Sequence, residues 1–151
     1  MEIYFIRHGQ TDGNVAKRHQ ANTTRLTDLG RQQAEAAAQR VKEIKPDFFI
    51  SSSMVRAIET SSIIAQATDM IPSTGALFAE LERPAKMYGF HHKDPRSLWF
   101  YIRWYFGLVN VEGTGAESYK MFRERIAMAQ EALMKYPMDA KLVVVSHSVF
   151  I

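Results

Sequence analysis

The sequence predicts an α/β protein built on a mostly parallel sheet. One observation is the alternation of short apolar runs, at residues 3–6, 48–50 and 142–145, with longer segments of helical periodicity. A second is that each apolar run ends in polar, chemistry-bearing residues: Arg7-His8-Gly9, then Ser51-Ser52 with Arg56, then Ser146-His147. Ligands in open α/β sheets bind at the carboxyl ends of the strands, where all three clusters fall.

The elements follow in order. Residues 2–6 read as a buried strand, and the glycine after His8 lets a ligand approach the backbone closely. A helix is expected over 28–44, with Leu29, Ala36, Ala37, Val41 and Ile44 as its apolar positions, Thr27 as N-cap and Pro46 beyond its end. Residues 48–51 form a second strand. A helix over 54–68 follows, carrying Val55, Ile58, Ile63, Ile64 and Ala67, and a short extended segment is expected over 76–81. Residues 84–116 break the rhythm with Pro84, Gly89, Pro95, Gly107, Gly113 and Gly115. Within them, 96–108 reads as one aromatic-rich helix. A long helix spans 117–136 and stops at Pro137, and the strand 142–146 ends the pattern. A βα unit would continue into a helix after Ile151, so a C-terminal helix is expected to be missing.

Composition narrows the function classes. The chain has 151 residues, enough for a single domain with a real core, and is 46% hydrophobic and 23% charged. It has no cysteine, which excludes disulfides, thiolate metal sites and cysteine nucleophiles and fits a cytoplasmic location. No apolar run is long enough for a membrane span, and the first residues lack the basic region and cleavage site of a signal peptide. The net charge of +3 is not gathered into a basic stripe, so neither nucleic acid nor membrane is expected as a partner, and nothing sets an oligomeric state.

Arg56 falls in the first turn of its helix, where free N–H groups and the helix dipole favour an anion. Two arginines, two histidines and a helix N-terminus meeting at one sheet end would make a cationic pocket. Phosphate is its natural occupant, because guanidinium matches phosphate oxygens bidentately.

Arg7-His8-Gly9-Gln10-Thr11 with Asn14 resembles the signature of the histidine phosphatase (phosphoglycerate mutase-like) superfamily. Further matches follow in order: Leu26-Thr27 with Gly30, Gln33 and Ala34; Ser51-Ser52 with Arg56-Ala57 and Thr60; Glu80; Ala116-Glu117-Ser118; and Ser146-His147. The resemblance implies one three-layer α/β/α domain over 1–151, with residues 84–116 inserted as a helical cap. It also implies a phosphomonoester hydrolase with no cofactor or metal, acting on a phosphorylated small molecule. His8 would be the nucleophile and form a phosphohistidine. Arg7, Arg56 and His147 would hold the phosphoryl oxygens, and Asn14 would add a neutral hydrogen bond. Glu80 best matches the acid/base position, with Glu82 two residues away as the alternative. Gln20 resembles a substrate-contacting residue on the loop after the signature, although a solvated loop residue fits equally. The run Glu80-Leu81-Glu82-Arg83-Pro84 departs from the mutase pattern and favours the phosphatase branch. A mutase and a non-catalytic phosphate-binding module remain the rivals.

Other residues have plainer readings. Thr11 orders its loop and Thr60 packs in its helix. Glu117-Ser118 either fixes the pocket or caps the long helix. His91-His92 raises a metal site, against which adjacent side chains usually diverge. The cap carries Lys86, Lys93, Arg96 and Arg103 against Asp94 and Glu112, with Trp99, Phe100, Tyr101, Trp104, Tyr105 and Phe106 on its helix. That helix either covers a substrate or docks on the core; a membrane-surface role is a third option with a thin polar face.

Overall fold

The computed structural model describes residues 1–151. The chain runs β1 (Glu2–Arg7), α1 (Asp12–Val15), α2 (Asp28–Ile44), β2 (Phe48–Ser52), α3 (Val55–Thr68), β3 (Ser73–Gly75), α4 (Pro95–Tyr105), α5 (Tyr119–Leu133) and β4 (Lys141–Ser146). All strand pairs are parallel, in the order β1-β4-β2-β3. The last strand in sequence is therefore an interior strand of the sheet, and it pairs with β1 in a register that sets Arg7 opposite Ser146. His8 and His147 leave neighbouring strands side by side for that reason.

Strand periodicity builds the layers. Along β4, Val143 and Val145 pack with Ala38 and Val41 of α2 and Ala57 and Ile64 of α3. Leu142 and Val144 point the other way, against Ala129 and Leu133 of α5 and Phe78. Each of these four β4 side chains is fully buried, as a strand covered on both faces must be. The caps match their chemistry: Thr27 accepts the Gly30 N–H at 3.0 Å, and Ser118 accepts the Met121 N–H at 3.2 Å. Two close approaches require glycine. A Cβ on Gly9 would lie 2.2 Å from the Gly30 carbonyl oxygen, and one on Gly30 would lie 2.1 Å from that of Gln10. The loop after β1 is thus pressed backbone to backbone onto the first turn of α2.

Three expectations need correction. The extended segment expected over 76–81 is a strand only at Ser73–Gly75, and Ala76–Phe78 is a 3-10 turn. Phe78, Ala79 and Leu81 are buried by packing, and the carbonyls of the segment find side-chain donors in place of a neighbouring strand. Arg125 reaches the carbonyls of Leu77, Ala79 and Glu80 at 3.0, 2.8 and 3.2 Å, and the Ser146 hydroxyl reaches that of Phe78 at 2.8 Å. The aromatic helix ends at Tyr105, because Gly107 takes a positive φ of 69° just beyond it. The long helix is shorter at both ends than 117–136, since Ser118 is its N-cap and Met134 its C-cap.

Helix α4 docks along one side only. Trp104 joins Leu81 and Phe122 in a small core and donates its indole N–H to the Glu117 carbonyl at 2.8 Å. Leu98, Trp99, Tyr105 and Phe106 on its other side are exposed. No helix is long and apolar enough to cross a membrane.

Candidate functional site

The carboxyl ends of β1 and β4 hold the two imidazoles with ring centroids 5.1 Å apart. His8 lies in the tight loop after β1, whose path is fixed by the Gly9 N–H donating to Thr60 Oγ1 at 3.1 Å and the Gln10 N–H donating to Gln33 Oε1 at 2.9 Å. His8 Nδ1–H donates to its neighbour's carbonyl, Gly9 O, at 2.7 Å. That bond places the proton on Nδ1 and leaves the Nε2 lone pair free to accept Arg56 Nε–H at 3.2 Å. Burial pushes the His8 imidazole down to about pKa 4; the hydrogen bond to Gly9 opposes this and the Arg56 and Arg7 charges reinforce it. The neutral ring is therefore favoured near pH 7, with the Nε2 lone pair accepting from Arg56.

His147 is fully buried behind this point. Its Nε2 lies 2.7 Å from the Ser52 hydroxyl, which already accepts the Met54 N–H and can donate its own hydrogen to the ring. In the tautomer where Ser52 donates, the ring proton is on Nδ1, and Nδ1 is buried with no hydrogen-bond partner. An orphaned buried donor is uncommon and often marks a missing ligand. Burial, then the Arg56 charge, holds the His147 imidazole down to about pKa 2.

Arg56 enters from the first turn of α3 and is nearly buried. Its remaining nitrogens donate to the Ala21 carbonyl at 3.1 Å and the Met54 sulfur at 3.1 Å. A polar cavity of about 100 Å³ opens onto this group, with Val149 its one apolar lining residue. Of the residues expected from sequence, it brings together Arg7, His8, Asn14, Gln20, Arg56 and Glu80, whereas His147, also expected there, is buried behind the wall and does not line it. Asn14 and Thr11 form the capping box of α1, and Asn14 Oδ1 accepts both the N–H and the hydroxyl of Thr11. The single hydroxyl hydrogen of Thr11 is shared between Asn14 Oδ1 and Gln20 Oε1. Glu80 is buried at the cavity wall, where one carboxylate oxygen accepts the Leu81 N–H at 3.0 Å and the other the Val149 N–H at 3.5 Å. Glu82 is turned away and accepts both of its hydrogen bonds from the Asn22 amide, at 2.8 and 3.0 Å. Of the two carboxylates, Glu80 is the one on the cavity.

Sequence reasoning gave Arg18, His19, Arg83 and Ser148 no role at the site and weighed His92 only as a metal ligand, yet all five line the cavity. Arg18 and His19 sit in the stretch that holds Gln20. They come to the wall because Arg18 pairs with His91 in an isolated antiparallel bridge, a long-range contact without local signal. Arg7, Arg18, Arg56 and Arg83 make no ion pair, and Glu80 is the only carboxylate among them on the wall. The His92 ring stacks 4.8 Å from His19, and no group of three or more metal-ligating side chains occurs. A larger cavity, about 500 Å³, lies in the segment 84–114 and has no histidine or carboxylate in its wall. The concentration of reactive groups is in the smaller one.

Fold and site together define a three-layer α/β protein with a polar pocket at the strand carboxyl ends, lined by histidines and arginines. The chain belongs to the histidine phosphatase superfamily (branch 1), whose family model matches residues 3–151. Its relatives include proteins named probable phosphoglycerate mutase GpmB. That of Escherichia coli is 30% identical over 99% of this chain and 70% of its own length. That of Proteus mirabilis is 43% identical over 44% of this chain and 32% of its own length. The solved alpha-ribazole phosphatase of Shigella flexneri shares the fold with a TM-score of 0.81 at 22% identity, covering 99% of this chain and 75% of that one. Mycobacterial glucosyl-3-phosphoglycerate phosphatase matches at a TM-score of 0.73 and 25% identity, over 97% of this chain and 75% of that one.

Proposed function

We propose that this chain hydrolyses phosphomonoesters through a phosphohistidine on His8, without a metal. The observation that carries the reading is the His8 imidazole whose Nδ1–H is held by the Gly9 carbonyl, so that its unprotonated Nε2 faces the buried Arg56 guanidinium, a donor that can pass from Nε2 to a phosphoryl oxygen. In the first step Nε2 attacks phosphorus and the bond from phosphorus to the ester oxygen breaks. Glu80 gives its proton to the departing oxygen. The phosphorylated ring is cationic, and its Nδ1–H to the Gly9 carbonyl stabilises it. Arg7, Arg56 and the Asn14 amide hold the phosphoryl oxygens, with Gln20 at the rim, and His147 joins them through Nδ1 in the tautomer that carries its proton there, once the wall before it gives way to the bound group. Such preorganised donors are the largest catalytic contribution in most enzymes. Water then attacks phosphorus, Glu80 takes its proton, the P–N bond breaks and neutral His8 returns. Residues 84–116 act as the cap over the substrate.

Turnover of an aryl phosphate in the presence of EDTA, absent in His8→Ala, is the expected result; acid-labile phosphate trapped on the wild type completes it. Well-folded wild type without turnover on any phosphomonoester overturns it. The near-full-length similarity to proteins named as mutases favours a second reading, in which His8 returns its phosphoryl group to a phosphorylated acceptor. Activity that depends on a bisphosphorylated primer selects it.

A further inference from the structure

We infer that Arg125 and Glu117 form a positioning device that holds Glu80 at the leaving-group side of the pocket, an inference that rests on the acid/base reading of Glu80. Arg125 projects from α5 and is only 14% exposed at its side chain. Its guanidinium grips the Glu117 carboxylate bidentately, at 2.6 and 2.7 Å. The same group donates to the carbonyls of Leu77, Ala79 and Glu80, so its donors are spent on the backbone that presents the acid. Glu117 completes the clamp from the other side of Glu80. Its carboxylate accepts the Glu82 N–H at 3.1 Å, and its own N–H donates to the Glu82 carbonyl at 2.9 Å. Neither residue lines the cavity, and neither touches His8.

The physical need is clear. Residues 77–82 lie beyond the short strand β3, in a 3-10 turn and extended chain with no sheet ladder to fix them. A proton donor displaced by about an ångström loses much of its effectiveness. Arginine supplies a rigid fork of donors to several carbonyls at once, which lysine cannot. The pair also touches the cap, since the Glu117 carbonyl accepts the Trp104 indole N–H. Docking of α4 and the placement of Glu80 therefore share one anchor.

Leaving-group dependence separates positioning from bulk stability, because only a poor leaving group needs the acid. The experiment measures kcat/KM, which reports formation of the phosphoenzyme, on phenyl phosphate and on 4-nitrophenyl phosphate. Wild type, Glu80→Gln, Arg125→Gln, Arg125→Lys and Glu117→Gln are compared, with the inhibition constant of inorganic phosphate as a check on the pocket. Arg125→Gln is expected to lose at least about tenfold more on phenyl phosphate than on 4-nitrophenyl phosphate, within the range general acid catalysis supplies. Arg125→Lys is expected to recover only part of the loss, and phosphate inhibition to stay unchanged. Combining Glu80→Gln with Arg125→Gln should add no further selectivity between the substrates. Where Arg125→Gln does not fold, Glu117→Gln, which keeps one acceptor and the side-chain volume, is expected to show the same selective loss. Equal losses on both substrates in the clamp variants, with Glu80→Gln still selective, overturn this inference alone. A Glu80→Gln enzyme with equal losses overturns the acid assignment and the inference with it.

Discussion

Protonation of His8 offers the sharpest test of the pocket's electrostatics. The perturbation is a fall in pH from about 7.5 to about 5.5, across the ordinary histidine pKa. An unperturbed imidazole would be about 9% neutral at the lower value, whereas one with its pKa pushed down to about 4 is about 97% neutral. The difference is about tenfold in reactive nucleophile, and the shift behind it, from 6.5 to about 4, corresponds to about 3 kcal/mol held against the imidazolium by burial and by Arg56 and Arg7. Nitrogen-15 NMR of labelled histidine reads it directly, with the His8→Gln variant assigning the resonance. The expected spectrum keeps a protonated Nδ1 and a bare Nε2 down to about pH 5. In parallel, kcat/KM corrected for ionisation of the substrate should stay flat over the same range. A midpoint near the ordinary histidine value would refute the reasoning, since burial would then not set the charge state.

Three further outcomes follow from the same contacts. Arg56→Gln should lower kcat/KM on an aryl phosphate by about 10²–10³, the usual loss for a preorganised donor, and a loss below tenfold would remove Arg56 from the phosphoryl cradle. Gly30→Ala should lower the unfolding free energy in urea by about 1–3 kcal/mol, because its Cβ meets the Gln10 backbone and no rotamer relieves the clash. Acid should destabilise the fold: the imidazoles of His8, His19 and His147 are held below the unfolded value, so the unfolded chain binds more protons. Stability is then full above about pH 6.5 and is lost as pH falls through the folded values, by about 2 kcal/mol from His8 alone at pH 5. A urea midpoint independent of pH between about 7.5 and 5 would contradict it.

The legibility of the chain divides along a physical line. Strand and helix positions were readable wherever burial repeats with a period. The interior strand Lys141–Ser146 and the helix Asp28–Ile44 came out within a residue of their bounds. The pairing of His8 with His147 was readable because both follow strands, and strand ends share one edge in a parallel sheet. What stayed hidden depends on side chains meeting across the sequence. Residues 76–81 carry the apolar residues of a strand, but their carbonyls are claimed by Arg125, a donor far along the chain. Helix Asp12–Val15 is a single turn, too short for any periodicity, although its Thr11 to Asn14 capping pattern was in view. Arg83 and His92 reach the pocket through folding of the 84–116 segment, which no local pattern encodes. Glu80 and Glu82 were inseparable by spacing and differ only in which way the chain turns them.

The place of β4 between β1 and β2 has a kinetic consequence. The first two long strands do not pair with each other in the native sheet; both must wait for β4, which begins only at Lys141, far beyond Arg7 and Ser52 where they end. Contacts of such long sequence separation slow folding, because loop-closure entropy is spent before any pairing offsets it. During synthesis α2 and α3 can already pack together, but β1 and β2 expose unpaired edges until β4 arrives, which is the condition under which chains seek chaperones or each other. The two imidazoles come into register in that same closing event. Gain of catalytic competence during refolding would therefore report the zipping of the central strand, and should lag behind the helical signal in circular dichroism.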